Sequence, residues 1–292
     1  MEQKIMPTIL KPQKIPPSFF QDRRDTAIAW LGMAGLLVNS RGKIMMIDPL
    51  LTLIDRDGEG GQRWSETHLR MLLPELPLET DGVKKLDLVM YTHAEDDHFG
   101  TLTPGTLEQR FKPIFMGPPP VLKRLREMSI PEERLRVAND FELSTICGTT
   151  IEVTPALHDH DKVNPWKRGD CVGYILRTPD GSIWHPGDTG LIPELLNVKN
   201  IDILLWDASV EVPTHLGPDG TAAIAKTCGA KLLLPYHYGT FEATLRNGNP
   251  APTGPYRRAL QSDPEQSLPF AKTCPGRFVI IQPGEVLTLP LP

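Results

Sequence analysis

The sequence predicts an α/β protein in which two β-sheets are flanked by helices, and three observations point there. Short β-favouring runs outnumber helical patterns both early and late in the chain. Helical patterns fall between successive strands of the later half. Several apolar runs also end on a histidine or an aspartate, so strand ends repeatedly deliver polar side chains to one kind of position.

Residues 1–25 are Pro- and Lys-rich and aperiodic, which predicts an extended N-terminal arm that either wraps the domain or is mobile. Residues 26–292 are read as one domain. From Thr26, the runs TAIAWLG, AGLLVNS and KIMMIDP are separated by turn residues at Gly32 to Gly35 and at Arg41-Gly42, predicting consecutive antiparallel hairpins. RWSETHLRMLL reads as a helix capped by Ser65, with Leu69, Met71, Leu72 and Leu73 as its apolar positions. Leu86 to Tyr91 is a near-continuous apolar run and predicts a buried strand.

PIFMG predicts the next strand, and Pro118 to Pro120 open a helix with Val121, Leu122, Leu125 and Met128 at helical spacing. FELSTICGTTIEVTPAL and CVGYILRTPDGSIWHPGD predict paired strands with glycine turns, and IDILLWDAS a further buried strand. Asp219 to Cys228 is helical and stopped by Gly229, KLLLPYH is a strand, and RFVIIQPGEVLTL predicts a closing hairpin-like pair. No internal repeat is present in the sequence.

Hydrophobic residues at 40% and charged residues at 23% are ordinary for a globular chain. A net charge of −5, with both signs interspersed, gives no electrostatic footprint for a nucleic-acid backbone, so no nucleic-acid partner is expected. The cysteines at 147, 171, 228 and 274 are too scattered for a thiolate zinc site or a disulfide framework. Neither a signal peptide nor a transmembrane segment of about 18 apolar residues is evident, so a cytoplasmic location is expected. Homo-oligomer formation is left open.

The segment THAEDDHFG places His93, Glu95, Asp97 and His98 within six positions directly after a buried strand. Four potential ligands that close crowd a single ion, but on a loop they can turn toward two neighbouring ions. The bland alternative is a solvated acidic loop. Three later strand ends change the weighting: His158 in TPALHDHD, Asp188 in HPGDTG, where Gly187 permits a tight turn, and His237 in LLLPYHYGTF. A lone histidine at such a place is more often structural than a ligand. Together, in this order, the four segments predict a metal centre.

On these residues the sequence resembles the metallo-β-lactamase superfamily, in which an HxHxDH loop, a later His, a bridging Asp and a final His hold two metal ions. The resemblance implies the four-layer αββα metallo-β-lactamase fold, two facing mixed β-sheets flanked by helices. LGMAGLL, IDP, PALH, GDTG and PYHYGTF are most similar to the branch of L-ascorbate-6-phosphate lactonases and N-acyl-phosphatidylethanolamine-hydrolysing phospholipase D. The resemblance places His93 and His158 on one metal, Asp97, His98 and His237 on the other, and Asp188 between them. Glu95 stands where the usual second histidine would be; as a harder ligand it shifts preference from zinc toward manganese, iron or magnesium. The expected cofactors are two divalent ions, zinc or manganese, with iron admitted.

His215, in PTHLGPDGTAA, resembles a His-x-x-Pro-Glu run of the phospholipase branch and is a candidate hydrogen-bond or proton donor, or else a loop residue that caps a helix. His160 competes with His158 for the ligand role or supports it. His185 would orient Asp188 or simply pack, while Asp48 and Asp207 at strand ends are candidates for support of the ligands. The implied activity is a binuclear, metal-dependent hydrolase of lactonase or phosphoesterase type, with a metal-bridging hydroxide attacking a small ester, lactone or phosphodiester and Asp188 or His215 assisting. A superfamily nuclease acting on RNA or DNA, or a non-catalytic metal-binding scaffold, are the competing readings.

Overall fold

The computed structural model describes residues 10–55, 62–64, 69–71, 73–160, 164–209, 214–238, 240–243 and 267–291. In the first half of the chain lie β1 (Thr26–Gly32), β2 (Gly35–Ser40), β3 (Lys43–Ile47), β4 (Leu88–Met90), α1 (Thr103–Phe111), β5 (Ile114–Gly117), α2 (Pro119–Glu127) and β6 (Leu135–Val137). The second half contributes β7 (Leu143–Ile146), β8 (Thr149–Pro155), β9 (Val172–Thr178), β10 (Gly181–His185), β11 (Ile203–Asp207), α3 (Gly217–Cys228), β12 (Leu232–Tyr236), β13 (Arg277–Phe278) and β14 (Val286–Leu289).

Two seven-stranded mixed sheets result, ordered β14-β1-β2-β3-β4-β5-β6 and β7-β8-β9-β10-β11-β12-β13. Each is antiparallel at its start and parallel from its middle onward: β3, β4, β5 and β6 pair parallel in one, β10, β11, β12 and β13 in the other. Alternation along the strands makes the layers. Ile28, Trp30, Val38, Met45 and Met90 of the first sheet share a core with Val153, Tyr174, Leu205 and Leu234 of the second. The intervening residues Ala27, Ala29, Leu37, Met46 and Val89 pack outward on Leu107 of α1 and Val121, Leu122 and Leu125 of α2. Trp184, Leu204, Trp206 and Leu233 do the same toward Ile224, Ala225 and Cys228 of α3. Strands covered on both faces read as continuous apolar runs, which is why LDLVMY and IDILLW lack alternation in sequence. The αββα sandwich expected from the sequence is thus present.

Residues 10–25 lie against the sandwich. Leu10, Ile15, Phe19 and Phe20 are buried, and the Gln13 and Ile15 amides donate to the carbonyls of Pro283 and Pro77. Among the described residues no helix is long and apolar enough to cross a membrane.

Two local expectations are corrected, and one helix was not predicted. The segment read as a Ser65-capped helix contains strands Gln62–Trp64 and Leu69–Met71, joined through Arg63 and Arg70, and Leu69–Met71 also pairs with Phe241–Ala243. The cross-strand partners of this segment outweigh its helical pattern; residues 65–68, with Ser65, and Leu72 lie outside the described residues. The expected closing hairpin does not form, because β13 joins the second sheet beside β12 and β14 the first sheet beside β1. Finally, α1 escaped sequence reading because TPGTLEQRF offers few apolar positions, although Leu107 is fully buried and Lys112 ends the helix in a left-handed conformation.

One glycine in the second sheet carries a testable consequence. A Cβ on Gly173 would stand 2.4 Å from Thr154 Oγ1 and 2.5 Å from the carbonyl oxygen of Pro186. Pro186 opens the turn that leads to Asp188, so the clash would be relieved by moving that turn. Gly173→Ala is expected to destabilise the fold by about 1–3 kcal/mol, read as a fall in Tm of several degrees by calorimetry.

Candidate metal centre

Six strands present their C-terminal ends to one region. β3 leads into Asp48, β4 into Thr92 and His93, β8 into His158, β10 into Asp188, β11 ends on Asp207, and β12 leads into His237. The backbone is bent sharply at several of these points. Asp48 and His237 both adopt left-handed conformations, with φ of 45° and 65°, an arrangement that persists only where the surroundings enforce it. The His237 amide donates to the Met33 carbonyl. Gly187, with φ of 67°, turns the chain so tightly that a Cβ there would lie 2.6 Å from the Val172 carbonyl. After β4, the His98 and Phe99 amides both donate to the Glu95 carbonyl, closing a turn that aims His93, Glu95, Asp97 and His98 toward the same space.

His93, His98, His158 and Asp188 are buried, and Glu95 and Asp97 are partly so. Potential ligand atoms of Asp97, His98, Asp188 and His237 all lie within 4.8 Å of one another, as do those of His93, His158 and Asp188, and those of His93, Glu95 and Asp97. Asp188 belongs to the first two groups. Its Oδ2 is 3.2 Å from His98 Nε2 and 4.0 Å from His158 Nε2.

Outer partners fix the imidazoles. His98 Nδ1 lies 2.8 Å from Asp48 Oδ2, and His158 Nδ1 lies 2.9 Å from the Thr214 carbonyl oxygen. Thr92 donates its hydroxyl to Asp48 at 2.6 Å, leaving Thr92 Oγ1 to accept from His93 Nδ1 at 3.1 Å. Each Nδ1 is thereby engaged outward and each Nε2 lone pair faces inward. His93 Nε2 and Asp188 Oδ1 are buried without a hydrogen-bond partner among the described residues. Orphaned buried acceptors of this kind, in a set of imidazoles and carboxylates, fit divalent cations.

The charges are mutually dependent. Burial alone would raise Asp188, but His237, His98 and His215 outweigh it and hold its carboxyl well below the usual range. Burial likewise opposes protonation of His98 and His237, yet the carboxylates, Asp188 foremost, lift both well above the ordinary imidazole value. His93 goes the other way, lowered by burial and by neighbouring His98. Cations set among these groups would compensate the same carboxylates and displace imidazole protons, so uptake would release protons.

His215 sits beside the cluster. Its Nδ1 is 2.8 Å from Asp207 Oδ2 and its Nε2 is 3.7 Å from Asp188 Oδ2. Burial works against its proton, but Asp188 and Asp207 outweigh that and raise it to about 9. His185 is no part of the ligand space: its Nε2 donates to the Ala34 carbonyl and its Nδ1 accepts from the Gly187 amide at 3.1 Å, so it braces the turn ahead of Asp188. His160 lies in the two-residue strand Asp159–His160, and its side chain is outside the described residues. Sequence reading missed Thr92, adjacent to His93, and Trp166, which donates to Glu95 from 71 residues away; nothing in the spacing of Trp166 signals it.

An imidazole and carboxylate cage at the strand ends of an αββα sandwich defines the class as a β-lactamase-type metal-site fold. Residues 45–238 match the β-lactamase superfamily domain, and the chain belongs to that family. It is 23% identical over 276 residues to a UPF0173 metal-dependent hydrolase of Caldivirga maquilingensis, covering 90% of this chain and 98% of that one. Among solved structures it resembles a metallo hydrolase from Ignicoccus hospitalis, with a TM-score of 0.62 at 19% identity over 92% of this chain and all of the other. A diiron β-hydroxylase from Streptomyces venezuelae shares the fold with a TM-score of 0.61 at 14% identity, covering 92% of this chain and 55% of that protein.

Proposed function

We propose that this protein is a metal-dependent hydrolase with a binuclear centre, acting on a small ester, lactone or phosphodiester. The observation that carries the proposal is the position of Asp188, whose carboxylate is shared by the His93–His158 group and the Asp97–His98–His237 group. Similarity to chains named metal-dependent hydrolases supports the same class of reaction. Within it, the PALH, GDTG and PYHYGTF segments favour a lactonase or phosphoesterase of the L-ascorbate-6-phosphate lactonase and phospholipase D branch. His93, Glu95 and His158 would hold one ion, Asp97, His98 and His237 the other, with Asp188 common to both. Zinc, manganese and iron all suit such donors, and a cytoplasmic setting suits the scattered thiols.

When bound, the ions supply Lewis acidity and a water acidic enough to serve as nucleophile near neutral pH. The chain's own residues supply the rest. Asp188, held ionised, keeps the two ligand groups together and is no proton donor at neutral pH. His215 carries a proton on Nε2, oriented by Asp207 on Nδ1, and transfers it to the leaving oxygen as the bond breaks. Burial of both residues excludes bulk water from that transfer.

The test is a screen of the metal-reconstituted protein on lactone, ester and phosphodiester substrates. Activity above the metal-free chain is expected in at least one class, and its absence in all of them would sink the proposal. His215→Asn should keep both metals and lower kcat by about 10²–10⁴-fold. The wild-type rate should fall on the alkaline side, where His215, its proton sustained by Asp207, becomes neutral, and the variant should lack that alkaline limb.

A further inference from the structure

Trp166 belongs to no motif, yet it touches the centre. Its indole Nε1 donates to Glu95 Oε1 at 2.9 Å, and its ring stands edge-on to His93, with centroids 6.1 Å apart and planes at 87°. The body of the ring packs against the apolar layer outside the first sheet. The other oxygen of Glu95, Oε2, lies 3.3 Å from His158 Nε2 and 3.6 Å from His93 Nε2. Because both histidines have their Nδ1 atoms engaged outward, those two Nε2 lone pairs and Glu95 Oε2 border one small space. His93 Nε2 has no hydrogen-bond partner there.

A glutamate side chain is long and rotamer-rich, so ordering it as a ligand carries an entropic penalty. An indole removes that freedom in a specific way. It is a donor only, so it fixes one carboxylate oxygen without offering a competing ligand atom, and it leaves the second oxygen free. Histidine or glutamine at position 166 would bring an acceptor of its own into the same space.

We infer that Trp166 is the positioning residue that makes Glu95 a ligand of the His93–His158 cation site, and that this site thereby favours Mn²⁺ over Zn²⁺. A carboxylate oxygen replacing an imidazole nitrogen hardens the donor set, which moves preference in that direction. The inference rests on the two-cation reading proposed above.

The experiment strips the full chain with chelator and titrates it with Mn²⁺ alone and with Zn²⁺ alone by calorimetry, with elemental analysis at saturation. The wild-type chain should take up two cations. Trp166→Phe, which keeps the aromatic packing and removes the N–H, should weaken Mn²⁺ binding at one site by about 10–100-fold, weaken Zn²⁺ less, and leave the other site unchanged. Glu95→Gln should show the same selective loss, and the double variant no more than either alone. Trp166→Phe with wild-type Mn²⁺ affinity and an unchanged Mn²⁺ to Zn²⁺ ratio at both sites overturns the inference, as do additive losses in the double variant. A wild-type chain that takes up fewer than two cations overturns the underlying reading instead, and does so before any variant is compared.

Discussion

Asp188→Ala should strip the centre of both cations and abolish turnover. The side chain is buried at the end of the turn after β10, and its two oxygens face both ligand groups. Removing it takes a donor from each site at once and leaves His98, His215 and His237 without the carboxylate that most strongly sustains their charge. The imidazoles would then repel one another or shed protons, and neither arrangement recreates the missing oxygen ligands. Elemental analysis should find well under one cation per chain, with kcat indistinguishable from that of metal-free protein. Two retained cations and an undiminished rate would show that Asp188 is not the shared ligand.

Asp48→Ala should be nearly as damaging, by a different route. Asp48 faces no ligand space directly. It accepts from the Thr92 amide at 2.7 Å, from the Thr92 hydroxyl at 2.6 Å, and lies 2.8 Å from His98 Nδ1. Its removal leaves buried donors unsatisfied, each costing about 1–3 kcal/mol, and frees both Thr92 and the His98 ring. The expected outcome is a fall in Tm together with a roughly 10–100-fold loss of metal affinity. Asp48→Asn separates the two effects. Asparagine tolerates the left-handed backbone as aspartate does and can still accept from Thr92, so most stability should return. Its amide cannot hold His98 as a carboxylate does, so the affinity loss should persist. Thermal unfolding and calorimetric titration with Mn²⁺ read the two quantities separately, and full recovery of affinity in the asparagine variant would contradict the role given to the carboxylate.

The sandwich and most of the centre were legible in the sequence for one reason. Strands buried on both faces, such as LDLVMY and IDILLW, stand out as apolar runs, and the polar residues that end them stand out by contrast. His93, Asp97, His98, His158, Asp188 and His237 could therefore be singled out as candidate ligands, with the family resemblance adding the grouping, and the structure brings their potential ligand atoms close together. Features carried by pairing between distant segments were not legible. Leu69 to Met71 reads as helical until its partner near residue 242 is known, and β13 and β14 look like a hairpin until each is seen in a different sheet. Trp166 is the same problem at the scale of one side chain: its role depends on Glu95, and no local pattern encodes that. His215 and Asp207 fall between these cases, visible as polar residues beside strand ends but coupled only in three dimensions.

The placement of β14 also bears on how the chain is made. Thr26 to Ala29 of β1 pair with Leu289 to Val286, far downstream in the sequence, so during ribosomal synthesis the β1 edge of the first sheet stays a bare ladder of amides and carbonyls until β14 has emerged. Contacts so far apart along the chain close slowly and leave an adhesive margin in the meantime. Self-association of the nascent protein is thus most favoured in the interval before β14 emerges, when the rest of the sandwich can form but this seam is still open.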